Sequence, residues 1–413
     1  MSLTVRAATP DDLERILAIH TAAYPDERTT LERRRNFEAN PLGTLEDLVV
    51  VERAGIVIGQ AFLFALEAWF GGRAVKTGGI ASVAVAPEAR GQGVATTLLA
   101  SLHRASDLRG DALTMLYAFR HRFYVRVGYG TSLSRKRLAI DPASIPRGWC
   151  ERAKSRIRGA NRGDGDAIRA AYDRQAPTRT GWLTRPPTLW DRHLARERRH
   201  FLLASGETQG SVAGYVAFEL EQDEAHAETT MIVDEVVADD PSTRLVLLGA
   251  LGAMRDQVAT IEIELEDGDP LEVALLDPDA RRNGDEKVEH PIGTVAGGPM
   301  VRIEDVQRAI EARGYGADGT FDLVMTSGDP ASSAAEEMAV SVRVEGGRAT
   351  VSAPNRDARE AIRTSRSGLA SILYGGLRVG DAVRLGLADA DPRISARAEA
   401  VLALAPPAPI DRF

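Results

Sequence analysis

The sequence predicts an α/β protein with some α+β character, built as three domains. Three observations carry that expectation. Strand-like and helix-like runs alternate through residues 1–148, the same rhythm returns in weaker form through residues 149–292, and residues 293–413 break it with a different order of elements. The length of 413 residues fits three units of roughly 100–200 residues each.

The first segment opens on Thr9, an N-cap residue type, with Pro10 in the first turn and the carboxylates Asp11 and Asp12 at the positive end of a helix. Leu13, Ile16, Leu17 and His20 then give that helix one apolar face. Strand-like runs follow at residues 48–52, 56–66 and 79–86. A helix is expected from Val94 through Leu98, Leu99 and Leu102, then a strand over residues 112–119 and a short helical stretch ending at Gly128-Tyr129-Gly130.

In the second segment the turn Gly163-Asp164-Gly165-Asp166 precedes a helix with Ile168, Ala171 and Tyr172. Strands at 201–203, 211–220 and 231–237 and a helix at 243–254 repeat the first segment's order, which reads as an internal duplication. The third segment reads as a helix at 303–310, strands at 319–325 and 338–345, and a hairpin turn at Gly346-Gly347 with its return strand at 348–352. A helix over 357–374 follows, and then a proline-rich tail from Ala405 that proline keeps out of regular structure.

Composition excludes several functions. A formal net charge of −8 argues against nucleic acid as the main partner and fits a cationic small substrate, which an acidic field attracts. One cysteine, Cys150, rules out a disulfide framework and a multi-cysteine metal site, and it carries no catalytic signature around it. The seven histidines show no metal-binding spacing, so no metal is expected. The N-terminus lacks an apolar signal core and no run of about 18 apolar residues occurs, so the expectation is a cytoplasmic protein without a membrane span.

The stretch that carries chemistry runs from Val83-Ala84-Val85 through Ala86-Pro87-Glu88-Ala89 to Arg90-Gly91-Gln92-Gly93-Val94-Ala95-Thr96. A strand leads into a helix whose first N–H groups lack intrahelical acceptors, which makes an anion site. Gly91 and Gly93 allow close backbone approach to a pyrophosphate, and Arg90 adds charge. A Walker loop fails for want of Gly-Lys-Ser/Thr, and the dinucleotide fingerprint fails because Thr96 stands where a glycine is needed.

Arg90-Gly91-Gln92-Gly93-Val94-Ala95 resembles the R/Q-x-x-G-x-G/A signature of the GNAT superfamily of N-acetyltransferases. The resemblance implies that Val83, Ala84 and Val85 hold the pantetheine arm of acetyl-CoA and that Arg90 to Thr96 hold its pyrophosphate. Arg122-Phe123-Tyr124-Val125-Arg126-Val127-Gly128-Tyr129-Gly130 is similar to a segment of the Eis-type (enhanced intracellular survival) acetyltransferases. That family implies two tandem acetyltransferase domains, the second degenerate, at 1–148 and 149–292, and a sterol-carrier-protein-like domain at 293–413. It also implies a homo-oligomer, a hexamer.

For the mechanism, the resemblance gives Tyr124 the role of general acid to the departing thiolate. A tyrosine with an ordinary pKa of about 10 holds its proton at about pH 7. Tyr129 competes for that role, its alternative being to pack the turn. The free carboxylate of Phe413 is the base by resemblance. Family members often carry a Ser-Glu-Gly-like stretch near the thioester end of the cofactor; this chain has Phe119-Arg120-His121, so Phe119 and Arg120 offer backbone contacts there. His121 is either a local base or a surface histidine. In the second segment Ala238-Asp239-Asp240-Pro241 replaces the glycines with two carboxylates that repel phosphate.

The expected activity is acetyl transfer to primary amines of cationic small molecules, aminoglycosides among them, and to lysine side chains. Two alternatives stand beside it: a tandem acyltransferase of thiol or cell-wall metabolism, and a lipid-binding scaffold on an inactive acetyltransferase.

Overall fold

The computed structural model describes residues 2–131, 135–206, 208, 210–223, 228–266, 268–276, 293–327, 336–354, 360–405, 407, 408 and 410–413. The chain divides into two compact units. One comprises Met1–Ser132, Leu183–Leu189 and Pro299–Phe413, the other Leu133–Trp182 and Trp190–Gly298.

The first unit holds a seven-stranded sheet in the order Thr4–Ala7, Leu48–Arg53, Ile56–Phe70, Arg73–Val85, Leu113–Leu116, Met300–Ile303, Gly130–Thr131. All neighbours are antiparallel except Arg73–Val85 beside Leu113–Leu116. Residues 57–64 are all buried, because the helices Leu13–Ala23 and Val94–Arg109 both pack on this strand, and a strand covered on both faces reads as an unbroken apolar run. The run expected at 79–86 is the second half of a longer strand. Its first half was obscured by the turn Gly71-Gly72, where both residues take positive φ (+58° and +81°) and reverse the chain.

The second unit repeats the arrangement. Its sheet runs Ile157–Gly159, Arg199–Ser205, Val212–Gln222, Thr229–Ala238, Thr260–Glu266, Arg135–Ile140, Gly293–Ala296, again with one parallel pair, Thr229–Ala238 beside Thr260–Glu266. Each sheet is completed by a strand from beyond its own sequence segment. Arg135–Ile140, before residue 149, lies in the second sheet, and Met300–Ile303, after residue 293, lies in the first.

A five-stranded sheet follows in the first unit: Arg348–Ser352, Glu336–Glu345, Gly319–Ser327, Ala361–Ser365, Ala388–Asp389. The Gly346-Gly347 hairpin is there as expected, with φ of +56° and +75°. The helix expected over 357–374 is not. Residues 355–359 lie outside the described residues, Ala361–Ser365 is a strand parallel to Gly319–Ser327, and the helix begins only at Arg366, capped by the Ser365 hydroxyl accepting from Gly368 N–H. Ile362 is buried from the strand, so its helical spacing to Leu369 is coincidental. One hydrophobic core joins this region to the first domain, from Ile16 and Phe62 through Met300 to Phe321 and Leu369. In the tail, Pro406 and Pro409 lie outside the described residues.

Candidate functional site

The site grows from a fork in the first sheet. Arg73–Val85 pairs with Leu113–Leu116 only at Thr77↔Leu113, Gly78↔Thr114 and Gly79↔Met115, then runs on for six residues with its other edge still paired. A bulge places Ser82 and Val83 opposite Ala61, and Ser82 takes a positive φ of 52°, unusual for a residue with a Cβ. Because Ala86 N–H is bonded back to Ile58 O, the alternation of an antiparallel edge turns the groups of Val83 and Val85 to the open side. Two side chains reach those carbonyls: the Tyr24 hydroxyl donates to Val83 O at 2.9 Å, and Arg90 Nε donates to Val85 O at 3.5 Å. Ala84, paired with Gln60, faces the neighbouring strand instead.

Past the strand, Pro87–Ala89 makes a single tight turn and the helix Val94–Arg109 begins. Gly91 and Gly93 have φ of +74° and +78°, and a Cβ on either would meet nothing within 4 Å. The glycines are therefore demanded by backbone conformation, and they border open space. Gly93 is the N-cap and no side chain caps the helix, so the N–H groups of Val94, Ala95 and Thr96 point outward without acceptors in the helix. Gln92 is turned aside, donating to Glu88 O and accepting from Arg53 Nη1. Arg90 is exposed at the rim. An uncapped 16-residue helix start beside an open strand edge fits a pyrophosphate and a peptide-like pantetheine arm.

Tyr124 lies on the short helix His121–Val125 and is buried. Burial pushes its hydroxyl pKa up, and the nearby Tyr24 oxygen adds to the effect. Among the described residues no hydrogen bond engages the Tyr124 hydroxyl, while Tyr129, also buried, is bonded to Thr114. Of the two tyrosines, only Tyr124 has a hydroxyl left for a substrate. Phe119 is 72% exposed, with its ring edge-on to Tyr124, and Arg120 and His121 are exposed on the surface.

The last residues return to the fork. The Phe413 ring packs edge-on against Tyr117 with centroids 5.7 Å apart, and a Cβ at Gly79 would lie 3.2 Å from Phe413 Cδ2. Tyr117 donates to Asp411 O at 2.9 Å, and Asp411 pairs with Arg185 at 2.8 Å, both side chains fully enclosed. A cavity of about 780 Å³ adjoins this region: Arg185, and Leu66, which lies against Gly79, line it together with Glu67, Lys76, Arg109 and Thr188.

Sequence reasoning missed Tyr24, Tyr117, Asp411 and Arg185. Each makes contacts between segments distant in the chain, and no local pattern announces such contacts.

The corresponding helix of the second unit, Pro241–Gly252, starts differently. Asp240 caps it, accepting from Thr243 N–H at 2.9 Å, and Asp239 is held by Arg174 and Gln175. Among the described residues no group of three or more His, Cys, Asp or Glu is placed to hold a metal, and no helix is long and apolar enough to cross a membrane.

These features define an acetyl-transferring fold. Residues 4–132 and residues 181–303 each match a model of the acetyltransferase (GNAT) domain, and residues 306–410 match the sterol carrier protein domain. The chain belongs to the GNAT superfamily and is an acetyltransferase. Within it, the chain is a homologue of the N-acetyltransferase Eis of Mycobacterium tuberculosis and of Mycobacterium bovis, at 28% identity over 80% of this chain and 81% of the relative. The fold is that of solved proteins matched along their whole length. A GCN5-related N-acetyltransferase from Anabaena variabilis superposes with a TM-score of 0.82 at 20% identity, and Eis1 from Mycobacterium abscessus with 0.77 at 21%, each covering 100% of both chains.

Proposed function

We propose that the protein transfers the acetyl group of acetyl-CoA directly to primary amines of cationic small molecules, aminoglycosides included, with lysine side chains as further acceptors. The observation that carries this reading is the Tyr124 hydroxyl, buried, with no hydrogen-bond partner among the described residues, and near Tyr24, whose own hydroxyl bonds the open strand at Val83 O. Acetyl-CoA supplies the thioester; the amine nitrogen forms the new C–N bond, the C–S bond breaks, and the sulfur needs a proton. Tyr124 donates it. Val83 and Val85 would hold the pantetheine arm, and Gly91 to Thr96 with Arg90 the pyrophosphate.

The α-carboxylate of Phe413 takes the proton from nitrogen. An acceptor held as ammonium loses one proton before it attacks and a second as the amide forms, and a terminal carboxylate with an ordinary pKa of about 3.5 serves as base for them where burial or the protein's field raises it. The Tyr117 and Arg185 contacts, which bring the chain end to the fork, support that role. The net charge of −8 favours a cationic acceptor. Resemblance to the Eis-type family carries the expectation of a hexamer, which light scattering tests.

The test follows thiol release with a panel of amines and counts added acetyl groups by mass spectrometry. Tyr124→Phe should lower kcat by about 10²–10³-fold, the usual contribution of a general acid, and deletion of Phe413 should also lower it. Burial raises the Tyr124 pKa, so the hydroxyl keeps its proton beyond the ordinary value of about 10. The activity should therefore show no alkaline decline from this group below about pH 10. Undiminished turnover in Tyr124→Phe would remove the acid role.

A further inference from the structure

The turn that presents Tyr124 is held from behind by residues from the last third of the chain. Val127 N–H and Tyr129 N–H both donate to Tyr124 O, at 3.0 and 3.1 Å. Val127 O in turn accepts from Arg302 Nε at 2.9 Å. The other end of the Arg302 guanidinium pairs with Glu304, whose side chain is only 2% exposed.

The same carboxylate reaches Tyr124 by a second route. Glu304 accepts from Thr114 Oγ1 at 2.7 Å and from His103 Nδ1 at 3.1 Å. Since the Thr114 proton goes to Glu304, the Tyr129 hydroxyl donates to Thr114 Oγ1, at 3.0 Å, and the Tyr129 ring stands edge-on to Tyr124 at 5.7 Å. Backbone and ring behind Tyr124 are thus both tied to one buried carboxylate.

Arg366 closes the arrangement. It donates to Ile303 O at 2.6 Å and Glu304 O at 3.1 Å, and its stem covers Gly128, where a Cβ would lie 2.9 Å from Arg366 Cδ. At Gly130 a Cβ would lie 2.2 Å from Ser367 O. Both glycines flanking Tyr129 therefore make room for the helix Arg366–Leu373. Enclosing a glutamate carboxylate between two half-buried arginines is costly, and apolar residues of similar volume often stabilise as well or better, so the network calls for a reason beyond stability.

We propose that Arg302 is a positioning residue for Tyr124, fixing the turn through Val127 O and, with Glu304, the Tyr129 ring behind it. This rests on the reading of Tyr124 as general acid. Arg302, on the strand Met300–Ile303 that completes the first sheet, then acts in acetyl transfer by aligning a side chain of the first domain.

The test measures kcat and KM for acetyl-CoA in the full-length protein for Arg302→Met and Arg302→Lys, each alone and combined with Tyr124→Phe. Arg302→Met should lower kcat about tenfold, within the range expected of a misplaced catalytic group, while KM for acetyl-CoA stays within about twofold because the cradle is untouched. Arg302→Lys keeps a cation beside Glu304 but loses the planar Nε donor, so it should resemble Met, not wild type. On the Tyr124→Phe background neither should lower kcat further. A normal kcat in Arg302→Met, or an equal loss with and without Tyr124, overturns the positioning role and leaves the acid role standing. A normal kcat in Tyr124→Phe alone overturns both. Should Arg302→Met not fold, Thr114→Val breaks the Tyr129 route without removing a charge. It should lower kcat about threefold with Tyr124 present and not without it, and the opposite pattern overturns the proposal.

Discussion

Two helices in this molecule start at equivalent places in duplicated sheets and face opposite tasks. Val94–Arg109 begins on Gly93 with no capping side chain, and its first N–H groups point into open space. Pro241–Gly252 begins on Asp240, whose carboxylate takes the Thr243 N–H and hydroxyl, and Pro241 has no N–H to offer. A capped helix start is about 1 kcal/mol more stable than an uncapped one. The first domain forgoes that stabilisation at the helix start where the proposed function puts the pyrophosphate, whose oxygens would supply the missing acceptors, and the second keeps it. The difference lies in which partner satisfies the same orphaned donors.

The sharpest way to break the comparison is to move the second domain's chemistry into the first. Gly93→Asp places a Cβ at φ +78° and a carboxylate where phosphate would bind. The strain costs about 1–2 kcal/mol. That strain lowers stability in the free and bound protein alike, while charge repulsion, worth about 1.4 kcal/mol or more, should raise KM for acetyl-CoA by about tenfold or more. Unchanged KM would mean that this helix start does not hold the cofactor. Arg90→Ala is the milder version. Arg90 is exposed, so a phosphate held there would feel a screened charge, and KM should rise about three- to tenfold, less at high salt. A salt-independent effect of the same size would point to lost packing instead of lost charge.

The same contrast explains what was legible in the sequence. The strand, the two glycines and the helix start of the first domain were, because they are adjacent in the chain and each leaves a local mark. The duplication was as well, since the alternation of elements repeats. The fork was not: it depends on pairing stopping at Gly79↔Met115 and on the bulge at Ser82, both set by strands far apart in sequence. Nor was the exchange of Arg135–Ile140 and Met300–Ile303 between sheets, where a short apolar run is the same whichever sheet receives it. The misread helix at 357–374 has the same origin. Ile362, Leu369 and Leu373 satisfy a helical period, and only the parallel pairing of Asp322↔Ala361 makes the first of them a strand residue.

The smallest effect tests the second helix on its own terms. Hydrogen bonds from Thr243 hold the Asp240 carboxyl below its ordinary pKa, so the folded state favours the ionised form. A depressed folded pKa adds stability that is complete above the unfolded value, near 4, and disappears as pH falls through the folded one. Asp240 is exposed, so replacing it with Ala should cost about 0.5–1 kcal/mol near neutral pH, at the low end for a lost cap. Thermal unfolding should show a drop of a few degrees that narrows below about pH 4, where the wild-type carboxyl also becomes neutral. Acetyl-CoA KM should not change, because this helix start serves its own carboxylate. An equal drop at every pH would mean that the cap acts through packing alone. A change in KM would mean that the second helix has kept a share in cofactor binding, and the division of labour between the two helix starts would fall.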